Sequence, residues 1–439
     1  MGKNKGLTIF NTFGAMCVAL VFAPLAFADD ARPLPALYSA DMVDAQFAEA
    51  LVEGAAHEAV TASGLPVVTP FNADMVNIEN IVGDGEGVYV AVLDTGLLPG
   101  FAPFFFSDAN IAWGLGKGYS HDIYWDDAIG DIVIEPVRDD RGFWTDLASG
   151  HGTHVTSTVV GFNLNNQVWI HGIAPKATII PVLVLDAWSV PSPFGDLEFS
   201  GGTDEMISEG IRYVADLAAG ELNESRVVIN MSLGGPDRSP MIEAAVDYAI
   251  SKGVVVVASA GNEGEEGMGY PGGLPQIISA AAAGWSSMFA YGWQGDVPEK
   301  TNSNDDFGNN TQFHLEDFSS RPVKEKGQKH QDLDVAAPGA WVVGPYKSAF
   351  ANNTGYYYLS GTSMAAPHVS AIAAMLVGSE PSLSHGAVER RLRNAGHGNP
   401  LPADGAIVLF PFEEPYYYPA SWKGGDYGTG FLKADHVVN

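Results

Sequence analysis

The chain has 439 residues, 46% apolar and 17% charged, with 51 glycines and 27 prolines that make it rich in turns. That balance belongs to a globular protein and excludes a disordered, collagen-like or coiled-coil chain. The formal net charge of −30 comes from 52 acidic against 22 basic residues, and it disfavours nucleic acid and anionic membrane surfaces as partners.

In chain order, residues 1–28 read as a secretory signal. Lys3 and Lys5 supply a positive start, an apolar run covers residues 15–27, and Ala26-Phe27-Ala28 is a small-x-small cleavage motif before Asp29 and Asp30. The implied location is outside the cell. Cleavage removes Cys17, the only cysteine, so no disulfide is expected and stability must come from core size or a bound ion. Residues 29–66 are either a short pro-segment or a permanent arm. Within them Ser39 caps an expected helix over 40–60, with Val43, Phe47 and Leu51 on one face. No later stretch is long and apolar enough to span a bilayer, and no internal repeat is present.

Residues 67–439 read as one domain. Tyr89-Val90-Ala91-Val92-Leu93 is a continuous apolar run ending at Asp94, the pattern of a strand covered on both faces in a parallel sheet. Similar runs occur at 178–185, 226–231 and 254–258, with helical periodicity between them at 203–219 and 241–252. This alternation predicts a three-layer α/β fold, a mostly parallel sheet with helices on both faces. In such sheets the reactive residues gather at the carboxyl ends of strands. Segments near 101–147, 285–317 and 400–424 stand out as insertions, either lids over a cleft or surface decoration.

Three motifs carry the chemistry. Asp94-Thr95-Gly96 closes the first buried strand, His151-Gly152-Thr153-His154-Val155 opens a helix, and Gly361-Thr362-Ser363-Met364-Ala365 opens another. A serine hydroxyl needs a base to become a nucleophile, and that base needs an orienting carboxylate. Each residue alone is an ordinary turn, cap or structural group. The three in this order resemble a subtilisin-type serine protease, and the resemblance runs from about Asn77 to Val437. It implies Ser363 as nucleophile, His151 as general base, Asp94 as its orienting partner and Asn262, in Ser259-Ala260-Gly261-Asn262, as oxyanion donor. It also implies structural roles for His154 and His368.

The resemblance extends to the substrate cleft. Ser232, Leu233, Gly234 and Gly235 resemble the segment that pairs with a bound peptide, and Gly269-Tyr270-Pro271 resembles the base of the pocket for the residue before the scissile bond. With no acid evident there, a large apolar side chain is the expected occupant. Leu164, Asn166, Val168 and Ile170 resemble a calcium-binding loop, but the aspartate that usually completes it is absent from Phe101-Ala102-Pro103-Phe104. Calcium and a plain surface loop both remain open readings. The implied protein is a secreted, monomeric serine endopeptidase acting on proteins or peptides, with no organic cofactor.

Overall fold

The computed structural model describes residues 64–78, 81–143, 150–285, 303–304, 310–311, 313–348, 353–399, 401, 407–410, 416–419 and 421–438. The signal, the helix over 40–60, and most of the insertions near 285–317 and 400–424 lie outside the described residues.

Among the described residues, eight strands form the central sheet. They are β1 (Val88–Asp94), β2 (Lys117–Gly118), β3 (Thr178–Leu183), β4 (Arg226–Met231), β5 (Val255–Ser259), β6 (Ile278–Trp285), β7 (Phe313–Leu315) and β8 (Val335–Pro338). Their spatial order is β7-β6-β5-β4-β1-β3-β2, with β8 also pairing β6. Every pairing is parallel except that of β6 with β7.

Strand alternation builds the three layers. Val88, Val90 and Val92 of β1 point into one core, which also takes Val155 and Val159 of α1 (His151–Val160). Ala91 and Leu93 point into the other, against α2 (Asp204–Ala219) and α3 (Pro240–Ser251). The uninterrupted apolar run in β1 therefore feeds both faces. Sequence ends match well: Thr203 accepts from the Met206 N–H at 3.2 Å as the α2 cap, and Ser239 caps α3 ahead of Pro240.

The central element is α4 (Thr362–Ser379), buried from Met364 to Val377. It packs on β1, β4, β5 and β6, and is followed by α5 (His385–His397). A helix apolar on all sides is a core helix, and its stability rests on packing rather than on an amphipathic stripe. Ile372 of α4 is fully buried.

The segment near 101–147 is more than surface decoration. It contributes β2 to the edge of the central sheet and an antiparallel hairpin of Ile123–Asp126 with Asp131–Ile134. Its far end returns beneath β1, where the Phe143 carbonyl accepts the Leu97 N–H at 2.9 Å. Gly96 (φ 77°) permits this approach, because a Cβ there would lie 1.7 Å from the Phe143 carbonyl oxygen.

Truncating α4 at Ile372→Ala should cost about 2–5 kcal/mol of unfolding free energy. The exposed Val82→Ala should change it by less than about 0.5 kcal/mol. Denaturant titration of both variants measures the difference.

Candidate active site

Asp94 is the last residue of β1 and is fully buried. His151 is the first residue of α1. Their side chains meet with His151 Nδ1 2.8 Å from Asp94 Oδ1 and 3.0 Å from Oδ2. A carboxylate accepts only, so Nδ1 carries the proton and the neutral ring presents Nε2 as its basic nitrogen.

The surrounding backbone locks this pair. Asp94 Oδ1 also accepts the Thr95 N–H at 2.7 Å, Thr95 Oγ1 accepts the Gly152 N–H at 2.9 Å, and Thr153 Oγ1 accepts the Leu98 N–H at 2.9 Å. The strand end is thus laced to the first turn of α1. Gly152 is required for the close approach, since a Cβ there would sit 2.4 Å from the Gly96 carbonyl oxygen.

Ser363 lies in the first turn of α4. Its carbonyl accepts from Ser232 Oγ at 2.7 Å, and its own hydroxyl donates to the Ser232 carbonyl at 3.3 Å. The hydroxyl is thus directed to Ser232 rather than to His151.

Asn262 follows β5 and faces the same helix end. Its Oδ1 accepts the Thr362 N–H at 2.9 Å and lies 3.0 Å from Thr362 Oγ1, while Thr362 Oγ1 accepts the Gly261 N–H at 3.1 Å. With the carbonyl end held, the amide donor Nδ2 is the free end of the side chain. Thr362 is the first helical residue, after the N-cap Gly361, and it sets the orientation of Asn262. Nothing in the local pattern signals that contact, because it spans 100 residues.

The two other motif histidines are packed into the core. His154 donates through Nε2 toward the Val342 carbonyl (3.0 Å) and the Tyr357 carbonyl (3.3 Å). His368 donates from Nδ1 to the Met364 carbonyl at 2.8 Å and accepts at Nε2 from Asn72 Nδ2 at 2.9 Å. Burial pushes His154 down to about 3, with the nearby His151 adding to the effect, and pushes His368 down to about 4.

The expected substrate segment borders the serine. Ser232 is buried, and its hydroxyl also accepts from Asn230 Nδ2 at 3.1 Å. Leu233 turns its side chain into the core shared with α2 and α3, so only its backbone is available to a ligand. Gly235 and Tyr270 exchange two backbone hydrogen bonds of 2.8 Å each. Gly269 donates to the Ala260 carbonyl at 2.9 Å, and a Cβ on it would lie 3.3 Å from the Gly235 carbonyl oxygen.

Leu164, Asn166, Val168 and Ile170 fall on a tight antiparallel hairpin, Gly161–Leu164 with Val168–His171. Asn165 and Asn166 take left-handed conformations at its tip. Asn166 Oδ1 accepts from Asn163 Nδ2 at 2.6 Å, and the Leu164 carbonyl accepts the Gln167 N–H at 3.0 Å. The Tyr356 hydroxyl ties the turn down, donating to the Asn163 carbonyl and accepting the Asn165 N–H, each at 3.0 Å. Two of the four expected calcium oxygens are thus engaged within the hairpin. No cluster of three or more His, Cys, Asp or Glu stands among the described residues. Each of these two oxygens already accepts a hydrogen bond within the hairpin, which leaves it fewer lone pairs for a cation. Among the acids of the 101–147 segment, Asp122 instead pairs with Arg138 at 2.9 Å.

The sequence profile of the Subtilase family matches residues 85–406. The chain belongs to that family. M-protease of Shouchella clausii (strain KSM-K16) is 30% identical over 314 residues, covering 72% of this chain and 60% of that protein. Subtilisin E of Bacillus subtilis (strain 168) is 32% identical over 250 residues, covering 56% and 50%. Subtilisin Savinase of Lederbergia lenta is 30% identical over 310 residues, covering 71% and 83%. The chain therefore spans only 50–60% of the length of the first two. Among solved structures, the S41 psychrophilic protease is 26% identical with a TM-score of 0.54, covering 84% of this chain and 99% of that one. Sphericase gives the same identity and TM-score, covering 83% and 97%. The three-layer α/β fold is thus the subtilisin-like one.

His154 and His368 are neutral in the fold but charge in the unfolded chain once the pH falls below about 6.5. Their stabilising contribution is full above that value and is lost as the pH falls toward about 4 and then about 3. At pH 5, unfolding of the His368→Gln variant should take up about one proton fewer than unfolding of the wild type. The pH dependence of denaturant midpoints reads this difference directly.

Proposed function

We propose that the protein is a secreted serine endopeptidase that hydrolyses peptide bonds through an acyl-enzyme on Ser363. The observation that carries this reading is the buried Asp94–His151 hydrogen bond, supported by Asn262, which is oriented by Thr362 in the first turn of α4 next to Ser363. Rotation of the Ser363 hydroxyl from the Ser232 carbonyl toward His151 Nε2 sets up proton transfer to the imidazole. Oγ then attacks the scissile carbonyl carbon, and the imidazolium that results is stabilised by Asp94.

The oxygen of the tetrahedral intermediate is received by Asn262 Nδ2 and the Ser363 N–H. The α4 N-terminus places its dipole at the same point. His151 returns the proton to the leaving amine, which departs. Water deprotonated by the same ring then hydrolyses the ester. Ser232, Gly234, Gly235 and Gly269 supply backbone and space for the peptide, and Leu233 contributes its backbone. A preference for large apolar residues before the scissile bond rests on the lack of an evident acid around Gly269-Tyr270-Pro271.

Secretion rests on the charged start, apolar run and cleavage motif of residues 1–28. Among the described residues no helix is long and apolar enough to cross a membrane. We assign residues 29–66 to a pro-segment or arm, residues 67–439 to the catalytic domain, and a monomer as the working form.

Casein hydrolysis by purified protein tests the reading. Ser363→Ala should lower kcat by roughly six orders of magnitude, the size of the effect in subtilisin. Asn262→Leu should lower it by about 10²–10³ with little change in KM. Equal activity of wild type and Ser363→Ala would overturn the assignment.

The calcium reading has its own test. Because Asn166 Oδ1 and the Leu164 carbonyl each already accept a hydrogen bond within the hairpin, EDTA should leave the melting temperature unchanged. A drop restored by calcium, and abolished in an Asn166→Ala variant, would return the ion to this loop.

A further inference from the structure

The pairing of β5 with β6 ends at Ser259, and Asn262 lies beyond it in a segment that is neither helix nor strand. Thr362 holds the carbonyl end of the Asn262 side chain. A donor aimed at one point in space needs its backbone held as well.

That hold comes from a short strap, residues 316–321, which follows β7. The Glu316 N–H donates to the Ala282 carbonyl at 3.0 Å, and Ser319 Oγ accepts the Ala282 N–H at 3.0 Å. These two bonds fasten the strap to β6. The strap then runs along residues 261–264. The Gly264 N–H donates to the Phe318 carbonyl at 2.8 Å, and the Arg321 N–H donates to the Gly264 carbonyl at 3.0 Å.

Ser320 stands at the middle of this contact and is fully buried. Its N–H donates to the Gly261 carbonyl at 3.0 Å. Its Oγ accepts the Glu263 N–H at 3.0 Å and donates to Glu263 Oε2 at 2.9 Å. The hydroxyl is thus used as donor and acceptor at once. One residue bonds the backbone on both sides of Asn262. Gly261 (φ 107°) permits the close approach, since a Cβ there would lie 2.9 Å from Ser320 Oγ.

We infer that Ser320 is a positioning residue for the oxyanion donor: by fixing the backbone of Gly261 and Glu263 it holds Asn262 Nδ2 where the negative charge develops. The inference rests on the endopeptidase reading and adds to it a residue that does not touch the substrate. Thr362 and Ser320 divide the task, the first gripping the side chain of Asn262 and the second its backbone. A donor that is displaced slightly loses more in the transition state than in the ground state, so the effect falls on kcat.

The test is steady-state kinetics on a fluorogenic peptide amide with Phe before the scissile bond. Ser320→Ala should lower kcat about tenfold and leave KM within about twofold. In an Asn262→Leu background the same substitution should change kcat by less than about twofold, because the group it positions is already gone. Ser319→Ala removes a buried hydroxyl of the same strap that faces β6, and should leave kcat within about twofold of the wild type. An unchanged kcat in Ser320→Ala, an effect confined to KM, an equal loss with and without Asn262, or an equal loss in Ser319→Ala overturns the inference. If the alanine variant does not fold, Ser320→Cys takes its place in the same cycle. Its thiol is a weaker donor and acceptor, so kcat should fall at least about threefold, and the same outcomes overturn the inference.

If the wild type is no more active than Ser363→Ala, the endopeptidase reading fails, and hydrogen exchange of the backbone amides decides separately whether Ser320 holds Asn262 in place. Exchange of the Glu263 N–H that is at least about tenfold faster in Ser320→Ala, with β5 and α4 unchanged, upholds it. Exchange at Glu263 that does not change, or that rises equally through β5 and α4, overturns it.

Discussion

The hydrogen bond from His151 to the buried Asp94 is the constraint around which the rest of the structure is arranged. A fully buried carboxylate is costly unless it is met by donors, and here the imidazole and the Thr95 N–H meet it. Each donor has to be held in turn. The first turn of α1 is bound to the 94–98 loop through Thr95 and Thr153, and Gly152 has no Cβ to keep the two backbones apart. The parallel sheet supplies the frame, since β1 is gripped on both sides by β3 and β4.

The serine side of the site is organised by a separate set of contacts. Ser232 and Ser363 exchange hydroxyl and carbonyl hydrogen bonds across 131 residues, fixing the start of α4 against the strand that precedes the cleft. Thr362 does the same for Asn262. The proposed nucleophile and the proposed oxyanion donor are therefore held by one helix end, which is itself immobilised because α4 is packed on all sides. A loosened α4 would disturb both the core and this arrangement.

The 101–143 segment shows how an insertion becomes part of the machine. Asp186 of the neighbouring hairpin is nearly fully buried and satisfied by Arg141 and Ser120, while Asp122 and Asp140 of the segment pair with Arg138, and Asp139 pairs with Lys117. A cavity of about 280 Å³ lies between the two hairpins. No periodicity in the segment announces this, because the partners come from strands 45 to 66 residues further along.

The sequence by itself determined the layers, the strands β1, β3, β4 and β5, the extents of α2 and α3, and which residue types could carry the chemistry. These are local properties: alternation, run length and short motifs report on the face a residue turns to the core. Only the tertiary structure decided what holds His154 and His368 neutral, which is burial against distant carbonyls and Asn72. It also decided that the Leu233 side chain turns into the core, that Thr362 orients Asn262, and that the Asn166 side chain bonds within its own hairpin. A hydrogen bond between residues a hundred positions apart leaves no periodic trace in the chain. The geometry of a site is set by such bonds, so it becomes legible only once the sheet has brought them together.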